Sequence, residues 1–92
     1  MMKRAIVTVV GDDKVGIIAA VSAKLSQFGI NILDITQTIM KGDVFVMLAL
    51  VDITHTEKPF HDIKEELSAL GESMRLSIRI QREEIFNSMY KV

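Results

Sequence analysis

Two stretches of the chain carry the same helical spacing of apolar residues. Ile18, Val21, Leu25 and Phe28 follow one another at intervals of three, four and three, and Gly29 closes the set. Phe60, Ile63, Leu67 and Leu70 repeat those intervals and are closed by Gly71, each position 42 residues beyond its counterpart. Such spacing puts each set on one face of a helix. A glycine just past the last turn suits a left-handed C-terminal cap. Pro59 fits a first helical position, where a missing N–H costs nothing.

Apolar runs with strand character flank both helices. Ala5 to Val10 and Asn31 to Met40 surround the first, while Val44 to Val51 and Met74 to Ile80 surround the second. Lys41-Gly42-Asp43 reads as a hairpin turn between the middle two runs. The order is therefore β-α-β, turn, β-α-β, in two similar halves. Short connections and right-handed crossovers then predict an α+β fold of the ferredoxin-like βαββαβ type. This is a four-stranded antiparallel sheet with two helices on one face and a short C-terminal helix. One domain over 1–92 is expected, with a core over 3–81 and a helical tail over 82–92.

The last strand alternates, with Leu76, Ile78 and Ile80 on one side and Arg75, Ser77, Arg79 and Gln81 on the other. The second does nearly the same, with Leu33, Ile35 and Ile39 against Asp34, Thr36 and Thr38. These two strands are the expected sheet edges. The first and third are apolar on both faces and belong at the centre. The face of the sheet away from the helices should then have an apolar middle and a polar rim, the outline of an interface. In the tail, Ile85, Phe86, Met89 and Tyr90 fall on one face of a short helix, to pack on the chain's own sheet or on a partner.

Composition narrows the functional classes. Of 92 residues, 49% are hydrophobic and 25% charged, which excludes a disordered chain. The net charge of −1 supplies no field for phosphate backbones or anionic membranes. The absence of cysteine removes disulfide scaffolds and thiolate metal sites, and makes the cytoplasm the expected location. The short apolar run near the N-terminus ends in charge and reads as a strand, not a signal peptide. No segment approaches the roughly 20 apolar residues that span a bilayer.

The candidate chemistry lies in GDDKVGI, residues 11 to 17, where the first strand hands over to the first helix. Helix-start N–H groups near Val15 and Gly16 make a site for a carboxylate. Gly11 and Gly16 would let the backbone approach a ligand closely. Asp12 or Asp13 could accept hydrogen bonds from an ammonium group. Together these match the two charged ends of an amino acid. The plainer reading is a turn, with Asp as an ordinary helix N-cap.

The run DDKVGIIAAVSAKLSQFGINILDI resembles the ACT domain, a small-molecule regulatory module attached to many enzymes of amino-acid biosynthesis. The matching elements are D-K-x-G-I-I at the loop and helix start, then L-x-x-F-G-I-N-I entering the second strand. The ending IFNSMY is similar to stand-alone single-ACT-domain proteins of bacteria and archaea, and the chain also resembles the ACT repeats of the glycine-cleavage transcriptional regulator. The resemblance implies an amino acid or related ligand bound at an interface between two ACT domains, hence a homodimer. It implies ligand contacts from the loop Gly11, Asp12, Asp13, Lys14, Val15, Gly16 and Ile17, and from Asn31 and Ile32 opening the second strand. Asp13 matches the loop contact and Asn31 the strand asparagine. Gly11 stands where serine-binding members can carry a histidine, and Val15 replaces a frequent proline. Asn31 also has a plain reading as a turn residue after Gly29.

Other constellations are weaker. His55 and His61 have no third ligand at metal spacing, and no serine or cysteine at a signature spacing to act as nucleophile. Gly11 to Gly16 matches G-x-x-x-x-G without the Lys-Ser/Thr of a phosphate loop. Neither an active site nor a cofactor is expected. RNA binding is disfavoured too, because the central strands offer only Phe45 as a stacking aromatic. The leading reading is a regulatory module that senses a small molecule, an amino acid by its chemistry, and contacts an enzyme or regulator. The alternative is an assembly domain that works without a ligand.

Overall fold

A computed structural model describes residues 2–84 of the chain. The elements run β1 (Arg4–Asp12), α1 (Ile17–Gln27), β2 (Asn31–Met40), β3 (Val44–Asp52), α2 (Phe60–Met74) and β4 (Leu76–Arg82). The four strands form one antiparallel sheet in the order β2-β3-β1-β4. This is the ferredoxin-like βαββαβ arrangement, with the two alternating strands at the edges as their patterns require. The tail pattern of Ile85, Phe86, Met89 and Tyr90 lies outside the described residues.

The core forms between the helices and one face of the sheet. Ala5, Val7 and Val9 of β1 and Met47, Ala49 and Val51 of β3 project into it, at most 1% exposed. They meet Val21 and Leu25 of α1 and Ile63 and Leu67 of α2, all four fully buried. Thus the 42-residue repeat (Val21 with Ile63, Leu25 with Leu67) is a packing repeat.

The two glycines that close the repeat do different work. Gly29 has φ 74 and follows the last turn of α1, with its N–H on the Ser26 carbonyl at 3.0 Å, as a C-terminal cap should. Gly71 does not end α2, which runs on to Met74 and is capped by Arg75 in the left-handed region at φ 60. Met74 is accordingly helical rather than the start of β4. Pro59 is the N-cap of α2 and not its first helical residue. One strand pattern also shifts. A register break between Ile32 and Asp34 puts Ile32 and Ile35 opposite Val51 and Ala49, on the helix side. Leu33 falls in the bulge and is exposed, so it does not share a face with Ile35.

A charged clasp joins the helices on their outer surface. Glu66 of α2 receives Lys58 at 2.7 Å and Lys24 of α1 at 3.4 Å. Both ammonium groups also stand over the Phe28 ring, Lys58 at 5.3 Å and Lys24 at 5.7 Å from its centre. The Lys58 hydrogen bond is the main cause that holds the Glu66 carboxyl below its ordinary value, and Glu66 in turn raises Lys58. A carboxyl depressed in the folded state stabilises above its unfolded pKa, and that contribution disappears as pH falls through the folded value. Glu66→Gln should therefore lower the thermal midpoint at pH 7, with the gap to wild type closing in acid below the ordinary carboxylate range. Thermal melts of both proteins across pH 2–8 check this, and a gap that is constant in pH would exclude the ionic account.

Candidate functional site

Gly16 is the N-cap of α1. It adopts φ 91, ψ 5, a left-handed conformation open to glycine, and a cap with no side chain makes no cap hydrogen bond. The first intrahelical bond runs from the Ala20 N–H to the Gly16 carbonyl at 3.0 Å. The N–H groups of Ile17, Ile18 and Ala19 therefore have no intrahelical acceptor. No acidic residue stands in this first turn. The positive end of α1 is thus uncompensated by any side chain of its own, and Asp13 is not its cap.

That end opens on a cleft of about 610 Å³. Asp13, Lys14, Gly16 and the α1 residues Ile17 to Ala19 line one side, and Gln37, Thr38 and Ile39 of β2 with Phe45 of β3 line the other. The cleft exists because α1 does not cover the upper part of β2. Ile39 pairs with Phe45 on the helix side of the sheet yet remains 55% exposed. Asp13 is exposed, and its carboxylate makes no hydrogen bond among the described residues.

Two bonds fix the loop. The Asp13 N–H donates to the Asp43 carbonyl in the β2–β3 hairpin at 2.9 Å. The Lys14 ammonium donates to the Met74 carbonyl at the C-terminal end of α2, where a cation suits the helix dipole. Lys14 is thereby an anchor of the loop, although it borders the cleft.

The remaining residues expected at a site divide. Asp12 ends β1, and Val15 points fully into solvent at 101% relative exposure. Gly11 has a packing reason to be glycine. A Cβ there would lie 2.5 Å from Leu76 Cδ2 and 3.0 Å from the Arg75 carbonyl oxygen, so the bare backbone accommodates β4 and not a ligand. Asn31 and Ile32 open β2 opposite Asp52 and Val51, whereas the cleft is at the other end of the strand. A strand of this length separates Asn31 from the loop by roughly 30 Å within one chain. The structure therefore brings Asp13, Lys14, Gly16 and Ile17 to one cleft and leaves Gly11, Asp12, Val15, Asn31 and Ile32 out of it.

Ile18, Ala19, Gln37, Thr38, Ile39 and Phe45 join the cleft without having been expected at a site from the sequence. Gln37 carried the one available signal. It is a polar residue on the helix side of β2, opposite Met47, between Ile35 and Ile39. Among the described residues no three His, Asp or Glu side chains gather as metal ligands, and no helix is long and apolar enough to cross a membrane.

The comparisons agree with this architecture over its whole length. The chain is 51% identical to a UPF0237 protein of Listeria monocytogenes, over 97% of this chain and 99% of the relative. It is 41% identical to a UPF0237 protein of Methanocaldococcus jannaschii, over 99% of this chain and 100% of the relative. The solved structure of an ACT domain protein from Streptococcus pneumoniae superposes with a TM-score of 0.82 at 40% identity, covering 98% of this chain and 100% of that one. A structure described as a glycine cleavage system transcriptional repressor superposes at 0.72 with 27% identity, over 89% of this chain and 46% of that one. The family model for the ACT domain matches residues 3–81, so the chain belongs to the ACT domain family, whose members serve as regulatory ligand-binding modules.

Proposed function

We propose that this chain is a regulatory module that senses an amino acid in the cleft between the start of α1 and β2. It works as a homodimer that reports ligand occupancy to an enzyme or regulator. The observation that carries the reading is the uncapped, acid-free N-terminus of α1, with Asp13 on the same cleft. The free N–H groups of Ile17, Ile18 and Ala19 suit a carboxylate, and Asp13 suits an ammonium group. Ile18 and Ile39 offer an apolar surface beside them, which favours an amino acid with an apolar side chain. Asn31 has no part in the cleft, which lies at the other end of β2.

A thermal-shift screen over the twenty amino acids, followed by calorimetric titration of the best, tests this. A ligand at a hundred times its dissociation constant should add about 2.7 kcal/mol of stability. Asp13→Ala should leave the unliganded protein within about 0.5 kcal/mol of wild type, because the side chain is exposed and caps nothing. The same change should abolish the ligand-induced shift. If no amino acid moves the midpoint, or if Asp13→Ala binds as wild type does, the ligand-free assembly reading takes its place.

A further inference from the structure

The face of the sheet turned away from the helices has nothing packed on it among the elements described. Its middle is apolar, formed by Ile6 and Val10 of β1 and Val46, Leu48 and Leu50 of β3. Val10 and Leu48 are 38% and 39% exposed, and the other three are half-buried. The rims differ in charge. Asp34 on the β2 edge pairs with Leu50, and Arg79 on the β4 edge pairs with Thr8. Through Leu50–Ile6 and Leu48–Thr8 these two charges fall in neighbouring rows of the sheet, one at each end.

We propose that this face docks a second copy of the chain, sheet against sheet, about a two-fold axis parallel to the strands. The arrangement names the surface of the homodimer and does not depend on what the cleft holds. Three features select it.

The face carries acids and bases in near balance, Asp34 and Arg79 on the rims and Arg4, Asp12 and Asp52 at the strand ends, so it offers little net charge to a nucleic acid or a strongly charged protein. It does complement itself. A two-fold parallel to the strands lays β2 over β4 of the second copy, so that each Asp34 meets an Arg79 diagonally, twice per dimer. A two-fold across the strands would lay β2 over β2 and set like charges against each other.

The apolar middle matches under the same operation. β3 lies over β1 of the second copy, with Leu50 over Ile6, Val46 over Val10 and Leu48 over Thr8. Parallel strand directions also fit the aligned packing of stacked sheets.

Four strands about 4.8 Å apart, read over about seven residues each, offer roughly 450 Å² of plane per copy and more as corrugated accessible surface. That is near the lower end of what specific pairs bury. The dimer should therefore be concentration-dependent, with a dissociation constant on the order of micromolar.

Sedimentation equilibrium of the full chain without added ligand, from low to several hundred micromolar, is the experiment. Wild type should show a monomer–dimer equilibrium. Leu48→Glu, at an exposed position, should give a folded monomer over the range, with far-UV circular dichroism unchanged. Asp34→Arg and Arg79→Asp should each weaken the dimer roughly 10- to 100-fold, since each leaves like charges facing twice. The double variant should return to within a few-fold of wild type, which distinguishes a direct pairing from a loss of folding. A monomeric wild type would overturn the proposal and assign the face to residues 85–92 or to another protein. A dimer that survives Leu48→Glu would place the contact on another surface, and failure of the double variant to recover would overturn the two-fold. None of these readings involves the cleft, so loss of amino-acid binding and loss of this interface are separately visible.

Discussion

Gly71→Ala is expected to cost about 2 kcal/mol of folding stability, although alanine is the better helix former by about 1 kcal/mol. Gly71 is buried on the side of α2 that meets the start of β4. A methyl group there would stand 2.6 Å from the Leu76 carbonyl oxygen and 3.2 Å from Ile78 Cγ1. The oxygen belongs to a backbone held in the sheet, so the conflict is relieved only by moving α2 off β4. Gly29→Ala provides the comparison. There the nearest atom is 3.9 Å away and only the left-handed φ of 74 is lost, at about 1 kcal/mol. Urea unfolding of the two variants separates the causes. A smaller loss at Gly71 than at Gly29 would mean that α2 can shift and that close packing does not select the glycine.

Larger still should be the effect of truncating the repeat-related leucines. Leu25 and Leu67 are both fully buried, one on each helix, against the same face of the sheet. Leu→Ala at such sites costs about 2–5 kcal/mol, from lost transfer energy and from the cavity left behind. About 3 kcal/mol is expected at each, a large part of the roughly 5–15 kcal/mol that holds a domain folded. Because the two side chains occupy equivalent places, the losses should agree to within about 1 kcal/mol. Denaturation midpoints read at unchanged m-value test both statements. A loss under about 1 kcal/mol at either leucine would show that its site collapses around the smaller side chain, and the packing equivalence of the two halves would not hold.

Element types and order were legible because they rest on local signals. Three-four spacing, period-two alternation and the Gly42-Asp43 turn each act within a few residues. The edge and central strands could be told apart for a similar reason, since apolar residues on one face or on both are written into each strand's own composition. The same local reading went astray where a remote contact decided the outcome. The Gly71 position looks like that of Gly29 in sequence, yet Gly29 is glycine for its backbone angle and Gly71 for its distance to Leu76. Leu33 fits the alternation of β2 until a bulge moves it, and nothing within the strand marks the bulge.

The site was legible only in part. The helix-start loop stands out because a glycine-flanked acidic turn between strand and helix has its own chemistry. Asp13, Gly16 and Ile17 were found in that way. Gly11 was misread, because the Leu76 side chain it accommodates is far along the chain. The opposite wall was missed, because Gln37, Thr38 and Ile39 become cleft residues only through α1 stopping short of the upper end of β2.

By itself, then, the amino-acid order determined the βαββαβ succession, which residues face the core, the repeat of two packing units and the place of the candidate loop. All of these follow from periodicity, turn chemistry and the exclusion of apolar side chains from water, which act over one element at a time. Only the tertiary structure decided that Asn31 lies a strand's length from that loop, that Lys14 anchors it to α2 and that Asp34 and Arg79 stand on opposite rims of one open face. Those facts depend on strand order and register, which set distances between residues that no local pattern relates.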